Sequence, residues 1–524
     1  MHIHPLILPA LAAVAHAASY SGDLRPQIHF SPPSNFMNDP NGLVYDSKKG
    51  IYHLYYQYNP SQTVAGNQHW GHATSSDLYH WTNQPIALSG DKPEEYIFSG
   101  SAVIDSNNTS GFFPHQDDGV VAIFTVDTPT LETQNIAYSR DGGYTFTKYA
   151  NNPVIDIGSK QFRDPQVVWH PETQQWVMTL AYAQDLVIGF YTSPNLRDWT
   201  HASNYTQKGL PGAQFECPNL VKFSVDRAVS KETSKYVLFI SVNPGAPLGG
   251  SGTFYVVGNF NGTHFTSEVA HETLLDFSGD NYAAQWYSGI PENEPPVSIG
   301  WASNWDYTAE VPTGPLEGWR SAMTLPKTHT LTKVNGAWVV THSPFHELST
   351  IKGRQLVSKN LKSGNVQTNF SGVPSKAVYF NVTLKDIHDA HPTGQVNFNF
   401  TSSSGEYLDG GLSLDKGSFW INRAGTHLFT IKDNGNYTSS FNTTIPSFGK
   451  GTFSFSGVID RSVLEVFLGE ERTQIGTLTF FPTSPLDTLT VSAEGLTNQT
   501  SVSVKAWGLQ SGWNSTTGSK RFRA

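Results

Sequence analysis

A turn followed by an aromatic residue recurs four times in this chain, and no other feature constrains the fold as strongly. Each copy begins with Ser or Asn, contains Asp or an Asn next to Gly or Leu, and ends in Trp or Phe. The copies are Ser75–Trp81, Ser139–Phe146, Ser193–Trp199 and Asn259–Phe265. Their aromatic ends, Trp81, Phe146, Trp199 and Phe265, are 65, 53 and 66 residues apart. A repeat of this length, with several strands in each unit, is typical of a β-propeller blade.

Short apolar runs rich in Tyr, Val, Ile and Phe lie between these turns and favour strands over helices. The clearest runs are Ile51–Tyr58, Val120–Val126, Trp176–Ala181, Tyr236–Val242, Thr253–Val257 and Val297–Ala302. Sustained periodicity of 3.6 residues is scarce. Four marked units, together with the strand-like segment Ile299–Trp305, predict an all-β protein that begins with a five-bladed propeller.

The pattern changes in the second half of the chain. Polar and apolar residues alternate more cleanly there, as in Ala377–Leu384, Gln395–Thr401 and Val502–Trp507. This alternation is typical of an antiparallel β-sandwich with one face of each sheet in water. We therefore expect a propeller over residues 20–342, a linker over 343–353 and a β-sandwich over 354–524.

The N-terminus predicts export. Leu6–Val14 is an apolar run, and Ala15-His16-Ala17 has the small-x-small form of a cleavage site, so residues 1–17 are expected to be a signal peptide. Eleven Asn-x-Ser/Thr sequences are candidate glycosylation sites, which supports a secreted, extracellular glycoprotein. They begin at Asn107, Asn108, Asn204, Asn261, Asn369, Asn381, Asn399, Asn436, Asn442, Asn498 and Asn514.

Charge and cysteine content narrow the classes of function. The formal net charge is −10 and no basic stripe is present, which argues against nucleic acid or an anionic membrane as a partner. No run after the N-terminus approaches the length of a membrane span. Cys217 is the only cysteine, and without a companion His in a thiol-enzyme motif it is predicted to be a small buried filler. The sequence leaves open whether the chain forms a homo-oligomer.

Three acidic segments carry the candidate chemistry. They are Asn38-Asp39-Pro40-Asn41-Gly42, Phe162-Arg163-Asp164-Pro165 and Phe215-Glu216-Cys217-Pro218. Taken singly, the first is a turn signal and the second a surface ion pair. Asp39, Asp164 and Glu216 are 125 and 52 residues apart, so a propeller would bring them together from three different blades.

Two carboxyl groups with different pKa values are the minimum equipment for cleaving a glycosidic bond. In a pocket, the Arg163 cation is expected to keep a neighbouring carboxylate ionised and to lower its pKa. Glu216, between Phe215 and Cys217-Pro218, is expected to lie in an apolar setting that raises its pKa, as a general acid requires.

These segments, in this order, resemble glycoside hydrolase family 32, which contains invertases, inulinases and related fructan enzymes. The resemblance covers essentially the whole mature chain. Further matching segments are Tyr56–Pro60, Trp70–His72, Phe98–Ser101, Trp319–Ser321 and, in the second domain, Ile459–Phe467.

The resemblance implies a retaining double displacement on a β-fructofuranoside. Asp39 matches the nucleophile, Glu216 the acid/base, and Asp164 the residue that binds fructose hydroxyls and stabilises the transition state. The fructose subsite is implied at Asn38, Gln57, Trp70, Ser99 and Arg163, with Phe98 and Trp305 as apolar walls. No metal and no organic cofactor is implied. The expected partners are small sugars: sucrose, fructo-oligosaccharides and, by extension, inulin or levan.

Two departures from the family pattern leave open whether water or a sugar accepts the fructosyl group. Phe36 stands where the family usually has Trp, and Phe215 stands where Trp or Tyr often precedes the acid motif. Phe keeps a ring but lacks an N–H or O–H that could orient a neighbour. We therefore carry three hypotheses: an invertase-like hydrolase, which we favour, a fructosyltransferase that makes fructo-oligosaccharides, and a non-catalytic carbohydrate-binding propeller.

Overall fold

The computed structural model describes residues 20–206, 211–225, 230, 233–387, 392–445, 451–497 and 499–513. The predicted signal peptide and the sequons at Asn498 and Asn514 lie outside these residues. The described chain is almost entirely β-strand, as predicted. Neither of its two short helices has the length and apolar content that crossing a membrane would need.

The first half of the chain forms five sheets built mainly of antiparallel strands, which we number blades 1 to 5, and one separate two-stranded sheet beside the fifth. Blades 1 to 4 each follow a meander of four strands from the innermost outward. Blade 1 contains β1 (Asn35–Asp46), β2 (Ile51–Asn59), β3 (His69–Ser75) and β4 (Trp81–Leu88). Blade 2 contains β5 (Tyr96–Ile104), β6 (Val120–Asp127), β7 (Glu132–Ser139) and β8 (Thr147–Lys148).

Blade 3 contains β9 (Phe162–His170), β10 (Gln175–Tyr182), β11 (Val187–Ser193) and β12 (Thr200–Tyr205). Blade 4 contains β13 (Phe215–Ser224), β14 (Ser234–Val242), β15 (Gly252–Phe260), β16 (Phe265–Ser267) and the short β17 (Thr273–Leu274). The innermost strands of successive blades contact one another around a closed ring.

Blade 5 is less regular than the others. Its strands β18 and β19 are followed by a helix and short paired segments. These elements are β18 (Tyr282–Trp286), β19 (Val297–Ala302), α1 (Thr313–Glu317), β20 (Trp319–Arg320), β21 (Ala322–Met323), β22 (Lys327–Thr328), β23 (Leu331–Val334), β24 (Ala337–Val340), β25 (Ser343–Pro344) and the 3-10 helix η1 (Phe345–Leu348). Strand β20 leaves this blade and pairs in parallel with β1, which closes the ring.

The recurring turn of the sequence joins the third and fourth strands of blades 1 to 4. The Ser side chain that opens a copy accepts a backbone N–H a few residues later, as Ser75 does from Leu78 at 2.8 Å and Ser139 from Gly143 at 2.8 Å. This local bond ends one strand and redirects the chain into the next. The repeat therefore marks one equivalent corner of each blade.

The second half of the chain forms two six-stranded sheets packed face to face around a Phe-, Val- and Leu-rich core. Their strands are β26 (Lys352–Leu361), β27 (Gly364–Asn369), β28 (Ala377–Ile387), β29 (Gln395–Ser402), β30 (Tyr407–Ser413), β31 (Ser418–Asn422), β32 (Ser440–Thr444), β33 (Gly451–Asp460), β34 (Val463–Leu468), β35 (Gln474–Thr479), β36 (Leu486–Glu494) and β37 (Ser501–Leu509). The predicted β-sandwich is confirmed.

Buried ionic contacts join the sandwich to the propeller. Asp460, at the end of β33, accepts the backbone N–H groups of Gln27, Ile28 and His29. The guanidinium of Arg423 lies 2.9 Å from the Asp280 carboxylate, and both side chains are fully buried. Because such groups are costly to bury unpaired, they fix how the two halves meet.

Candidate active site

Each innermost strand breaks its register with the second strand of its blade. The breaks lie between Met37 and Pro40, Ile97 and Gly100, Arg163 and Gln166, Glu216 and Asn219, and Tyr282 and Gln285. A β-bulge of this kind re-aims a side chain away from the regular alternation. The Asn-Asp-Pro-Asn-Gly segment is therefore part of a bulged strand, and its interpretation as a plain turn is wrong.

Asp39 lies inside the bulge of β1 and is buried. Its Oδ2 atom accepts a hydrogen bond of 2.9 Å from the Ser99 hydroxyl of blade 2. Its Oδ1 atom has no hydrogen-bond partner in the described part of the chain. Burial, together with the negative charge of Glu216, raises the pKa of Asp39 to about 6, although hydrogen bonds from Ser99 and Asn38 oppose the rise.

Asp164 and Cys217 come from the bulges of blades 3 and 4 and touch. The Cys217 N–H donates to Asp164 Oδ2 at 2.9 Å, and the Cys217 sulfur lies 3.6 Å from that oxygen and 3.5 Å from Asp39 Oδ2. Burial and the nearby acids raise the pKa of this thiol well above its usual value, so it stays protonated. Cys217 is buried as predicted, but it also bridges the two carboxyl groups, a contact that the sequence did not indicate.

Glu216 faces polar partners. Its Oε1 accepts hydrogen bonds from Arg163 Nε at 3.2 Å and Nη2 at 2.9 Å, and its Oε2 accepts one from the Tyr282 hydroxyl. The predicted apolar setting of this carboxyl group is therefore wrong: Phe215 is buried between blades 3 and 4 and leaves the acid exposed to Arg163 and Tyr282. The Glu216 side chain is 16% exposed, so a substrate can reach it.

Arg163 points toward two glutamates. Its Nη1 atom lies 3.3 Å from Glu132, and its Nη2 and Nε atoms bind Glu216. Burial dominates at Asp164 and raises its pKa to about 7, with the charge of Glu216 adding to the rise and that of Arg163 only opposing it. Arg163 acts on the Asp164 pKa in the predicted downward direction, but burial outweighs it, so the net shift is upward.

Aromatic side chains form one side of the site. Phe36, Tyr282 and Trp301 are buried together with Cys217, and the half-buried Trp305 packs on them, with its ring 4.9 Å from that of Trp301. Phe98 is half-buried at the blade 2 bulge. Phe98 and Trp305 both keep part of their surface exposed, and their role as apolar walls of the site stays a prediction.

Trp70 and Gln57 lie behind this surface. Trp70 is fully buried between blades 1 and 2, and its Nε1 donates to the Phe98 carbonyl at 3.0 Å. The Gln57 amide donates to the Ile97 carbonyl at 3.0 Å. Both predicted subsite residues hold the strand that carries Phe98 and Ser99, so Trp70 supports the wall and is not itself a contact surface.

Two residues of this cluster were missed by the sequence analysis. Tyr282 binds Glu216, and Glu132 anchors Arg163. The fifth blade was inferred from Ile299–Trp305, which overlaps its second strand, β19, so the innermost strand that bears Tyr282 went unrecognised. Glu132 begins β7 in an ordinary polar setting, and no local signal distinguishes it.

The site offers two carboxyl groups in different environments, and this pair suits chemistry on a neutral substrate. Asp39 is buried with one free oxygen, whereas Glu216 is partly exposed and held by a cation and a phenol. The described residues contain no group of three or more His, Cys, Asp or Glu side chains placed to hold a metal ion.

Comparison with known proteins places this site in a family. Residues 29–342 match the glycosyl hydrolases family 32 N-terminal domain, and residues 347–508 match the glycosyl hydrolases family 32 C-terminal domain. The chain is 38% identical over 490 residues to invertase 2 of Saccharomyces cerevisiae, covering 88% of this chain and 90% of the relative. It is 37% identical over 476 residues to an extracellular exo-inulinase of Meyerozyma guilliermondii, covering 87% and 90%.

A solved structure agrees with these sequence relatives. A fructofuranosidase variant of Schwanniomyces occidentalis in complex with fructosylnystose superposes with a TM-score of 0.86 at 34% identity, covering 95% of this chain and 99% of that chain. Both domains, the sequence relatives and the architecture agree, and the chain belongs to glycosyl hydrolase family 32.

Proposed function

We propose that this protein is a secreted, retaining β-fructofuranosidase that hydrolyses the terminal β-D-fructofuranosyl bond of sucrose and short fructans. The observation that carries the proposal is the convergence of Asp39, Asp164 and Glu216 from blades 1, 3 and 4 around Cys217. The names of the relatives support the substrate class.

In the first step, ionised Asp39 acts as the nucleophile. Its Oδ2 is held by Ser99, so the unpartnered Oδ1 is the oxygen available to attack the anomeric carbon of the fructosyl unit. Glu216 donates its proton to the glycosidic oxygen as the bond to that carbon breaks. The leaving group departs with the proton, and a fructosyl-enzyme ester remains on Asp39.

In the second step, Glu216 acts as the base. It takes a proton from a water molecule whose oxygen attacks the same carbon, which frees fructose and the Asp39 carboxylate and restores the protonated Glu216. Asp164 is assigned to the fructose hydroxyls and to stabilising the charge of the transition state. Arg163 and Tyr282 fix the Glu216 carboxyl group between the two steps.

The fructose subsite is proposed at Asn38, Ser99, Arg163, Phe98 and Trp305, with Gln57 and Trp70 positioning Phe98 and Ser99. The propeller at 20–342 would carry all of these residues, and the sandwich at 354–524 would support it. Within the intervening 343–353, β25 pairs with blade 5 and β26 begins at Lys352.

Extracellular location is proposed from the predicted signal peptide and the sequons, and the extracellular exo-inulinase relative supports it. Among the described sequons, six have exposed Asn side chains: Asn107, Asn204, Asn261, Asn369, Asn436 and Asn442. The Asn side chains of the other three, Asn108, Asn381 and Asn399, are half-buried. Release into the medium of a protein whose mass falls on endoglycosidase treatment would support export. Retention in the cell would contradict it.

The deciding experiment measures free glucose and free fructose separately from sucrose at low and high concentration. Equal release at both concentrations establishes hydrolysis. Glucose in excess over fructose, growing with sucrose, would establish transfer to sugar instead. Phe36 and Phe215, which raised that alternative, are both about 1% exposed and so lack an open face toward an acceptor.

Controls separate catalysis from binding. Asp39→Ala and Glu216→Ala are each expected to abolish release while the far-ultraviolet spectrum and the melting temperature stay close to those of the parent. Normal turnover in either variant would refute the role assignment. Sugar binding by the parent without release from sucrose, inulin or levan would favour the non-catalytic propeller.

A further inference from the structure

The Arg163 guanidinium lies among three acids of the candidate site. Burial opposes its charge, but the negative charges of Glu216, Asp164 and Glu132 outweigh burial and raise its pKa, so the group stays a cation. Of these acids only Glu216 is assigned to proton transfer, and its Oε1 accepts hydrogen bonds from Arg163 Nε at 3.2 Å and Nη2 at 2.9 Å. A planar cation with three acids nearby needs a fixed orientation if one edge is to face the acid/base.

Glu132 binds the guanidinium on the side away from Glu216. Its two carboxylate oxygens each lie 3.3 Å from Arg163 Nη1, the nitrogen outside the edge that Glu216 binds. The Glu132 side chain is 3% exposed and that of Arg163 is 9% exposed, so water competes little for this pair. Gln161 accepts from the same nitrogen at 3.0 Å, and Gln214 accepts from Nη2. All three guanidinium nitrogens therefore have protein partners that fix the plane of the group.

Glu132 is itself fixed by the strand that it serves. Its Oε2 accepts the Phe162 N–H at 2.7 Å, and its own N–H donates to the Ser159 carbonyl at 2.8 Å. Phe162 directly precedes Arg163 at the start of β9, so one carboxylate binds both the backbone of this strand and the next side chain along it. Glu132 begins β7 of blade 2, and a site held from a strand is more precise than one held from a loop.

The contact with Arg163 decides which oxygen of Glu216 carries the proton. Both hydrogen bonds from the guanidinium end on Oε1, and an Arg N–H can only donate. When Glu216 is protonated, Oε1 is therefore the carbonyl oxygen and the proton lies on Oε2, beside the Tyr282 hydroxyl. The proton that moves to the glycosidic oxygen is thus confined to one atom for as long as Arg163 keeps its orientation.

We propose that Glu132 is a positioning residue for the acid step: it holds Arg163 on Glu216 Oε1 and so keeps the transferable proton on Oε2. This role rests on the proposed function, because the acid step is part of cleaving the glycosidic bond. Glu132 is almost fully buried, so it acts through Arg163 and Glu216 and not by contact with the sugar. Without Glu132, the guanidinium is free to turn toward Asp164. Protonation of the leaving group then slows, while Asp39 can still attack.

The test compares two fructofuranosyl substrates of the full-length protein, sucrose and β-D-fructofuranosyl fluoride. A sugar alkoxide must be protonated as it leaves, whereas fluoride leaves with far less help from an acid. Glu132→Ala is expected to lower kcat/KM for sucrose about 30-fold, a part of the roughly 10²–10⁴-fold that a positioned acid supplies. The same substitution should lower kcat/KM for the fluoride by less than about threefold. The ratio of the two values, fluoride over sucrose, should therefore rise at least about tenfold.

Gln134→Ala is the matched control for a structural disturbance of β9. Gln134 lies two residues further along β7, is fully buried and donates to the Phe162 carbonyl at 2.7 Å. Its side chain bonds Phe162 and Thr125 instead of Arg163. Loosening the start of β9 in this way should slow both substrates by the same factor, so the ratio should stay within about twofold of that of the parent.

Glu132→Gln takes the place of the alanine variant if that variant does not fold. It has the same shape and keeps one acceptor for the Phe162 N–H, but it turns an amide NH₂ toward Arg163 Nη1 and removes the charge. The ratio should shift in the same direction, and crystals of the variant should show Arg163 no longer bonded to Glu216 through both Nε and Nη2. An unchanged ratio in a folded Glu132 variant, or an equal rise in Gln134→Ala, would overturn this role even though the parent hydrolyses sucrose. A parent inactive on both substrates would instead refute the proposed function, and this role with it.

Discussion

The Asp39 carboxyl group sets the acid limit of the proposed reaction. The nucleophile must be ionised, and burial with the nearby Glu216 charge raises its pKa from 3.8 to about 6. Lowering the pH through 6 protonates it. We therefore expect kcat/KM for sucrose to fall on the acid side with a midpoint near pH 6, measured as initial rates across pH. A profile that stays flat to about pH 4, near an ordinary Asp, would contradict the assignment.

Ser99 lowers the pH at which Asp39 becomes protonated. Its hydroxyl donates to Asp39 Oδ2 at 2.9 Å and so stabilises the ionised form. Ser99→Ala should raise the pKa of Asp39 further and move the acid midpoint upward by about one pH unit, with the largest activity loss at low pH. The exposed Ser89→Ala is the matched control and should leave the profile in place. An unshifted midpoint in Ser99→Ala would show that this hydrogen bond does not act on the ionisation.

Tyr282 positions the proposed acid/base. Its hydroxyl donates to Glu216 Oε2 while Arg163 binds the other oxygen. In Tyr282→Phe the carboxyl group loses one of these two anchors, so we expect kcat to fall about tenfold with KM little changed. Steady-state kinetics on sucrose measure the split, with Tyr144→Phe as the exposed control. A rise in KM alone would assign Tyr282 to substrate binding instead.

At the level of the strand, Gly42 lies in a second register break of β1, between Asn41 and Val44, just after the bulge that holds Asp39. It has a φ of +53°, and a Cβ there would approach Tyr55 to 2.7 Å and Trp70 to 2.9 Å. Gly42→Ala should lower the melting temperature and the activity of the folded fraction, with a cost of about 2–4 kcal/mol. Gly50 has a φ of +66° and nothing within 4 Å of the added carbon. Gly50→Ala should therefore cost only the strain of a left-handed backbone, about 1 kcal/mol of stability.

Comparing the two variants isolates the cost of crowding from the cost of a left-handed backbone. Equal losses of stability would mean that the close approach of Gly42 to Tyr55 and Trp70 does not constrain β1.

Regular strands and their repeat were predictable because both are local. Ile51–Tyr58 and Tyr236–Val242 alternate or are β-branched, and the Ser-x-Asp corners close through bonds within a few residues. The bulges were not predictable, because they appear only when an innermost strand is paired with its neighbour. The three acids were identified from motif order. The upward pKa shift of Asp164 depends on its burial, and the polar setting of Glu216 depends on where Arg163 points, and only the fold decides both.

For the whole molecule, the buried Arg423–Asp280 pair is expected to contribute far more to the free energy of unfolding than the more exposed Arg472–Glu347 pair. Arg423 is fully buried and also donates to the Thr479 carbonyl at 2.8 Å. Arg423→Gln leaves Asp280 buried without its cation, which should cost about 3–5 kcal/mol of unfolding free energy. Since Asp280 precedes Tyr282 by two residues, kcat should fall as well. Thermal unfolding and sucrose kinetics measure both effects.

The control for this prediction is Arg472→Gln. Arg472 bridges from the sandwich to Glu347, whose side chain is 55% exposed, so its loss should cost about 0–1 kcal/mol. Equal destabilisation by the two substitutions would refute the importance of the buried pair.

His29 makes the stability of the contact between propeller and sandwich depend on pH. Burial opposes its protonation, but hydrogen bonds to Asp460 and Glu465 outweigh burial and raise its pKa above 6.5. This contribution to stability is complete below pH 6.5 and is lost as the pH rises through the raised pKa. The pKa values of Asp460 and Glu465 are lowered, despite burial, by these same bonds and by Lys327, so their contributions are lost only in acid, below the usual values of 3.8 and 4.5.

We therefore expect the melting temperature of the parent to decline from mildly acidic toward alkaline pH. His29→Gln should be less stable at pH 6 and show a flatter decline above it, as measured by calorimetry. If the melting temperature of the variant fell with pH as steeply as that of the parent, the loss of stability at alkaline pH would come from a group other than His29.

Strand β20 pairs with β1, although Trp319 follows Asp39 by 280 residues. During synthesis Asp39, the proposed nucleophile, therefore leaves the ribosome long before the segment that completes its sheet. A nonsense mutation anywhere between them would yield a chain that carries Asp39 on an unclosed ring, without β20 beside it. Truncation at any codon before β20 should therefore abolish activity completely. We expect early stop alleles to be null and to produce no partly active fragment.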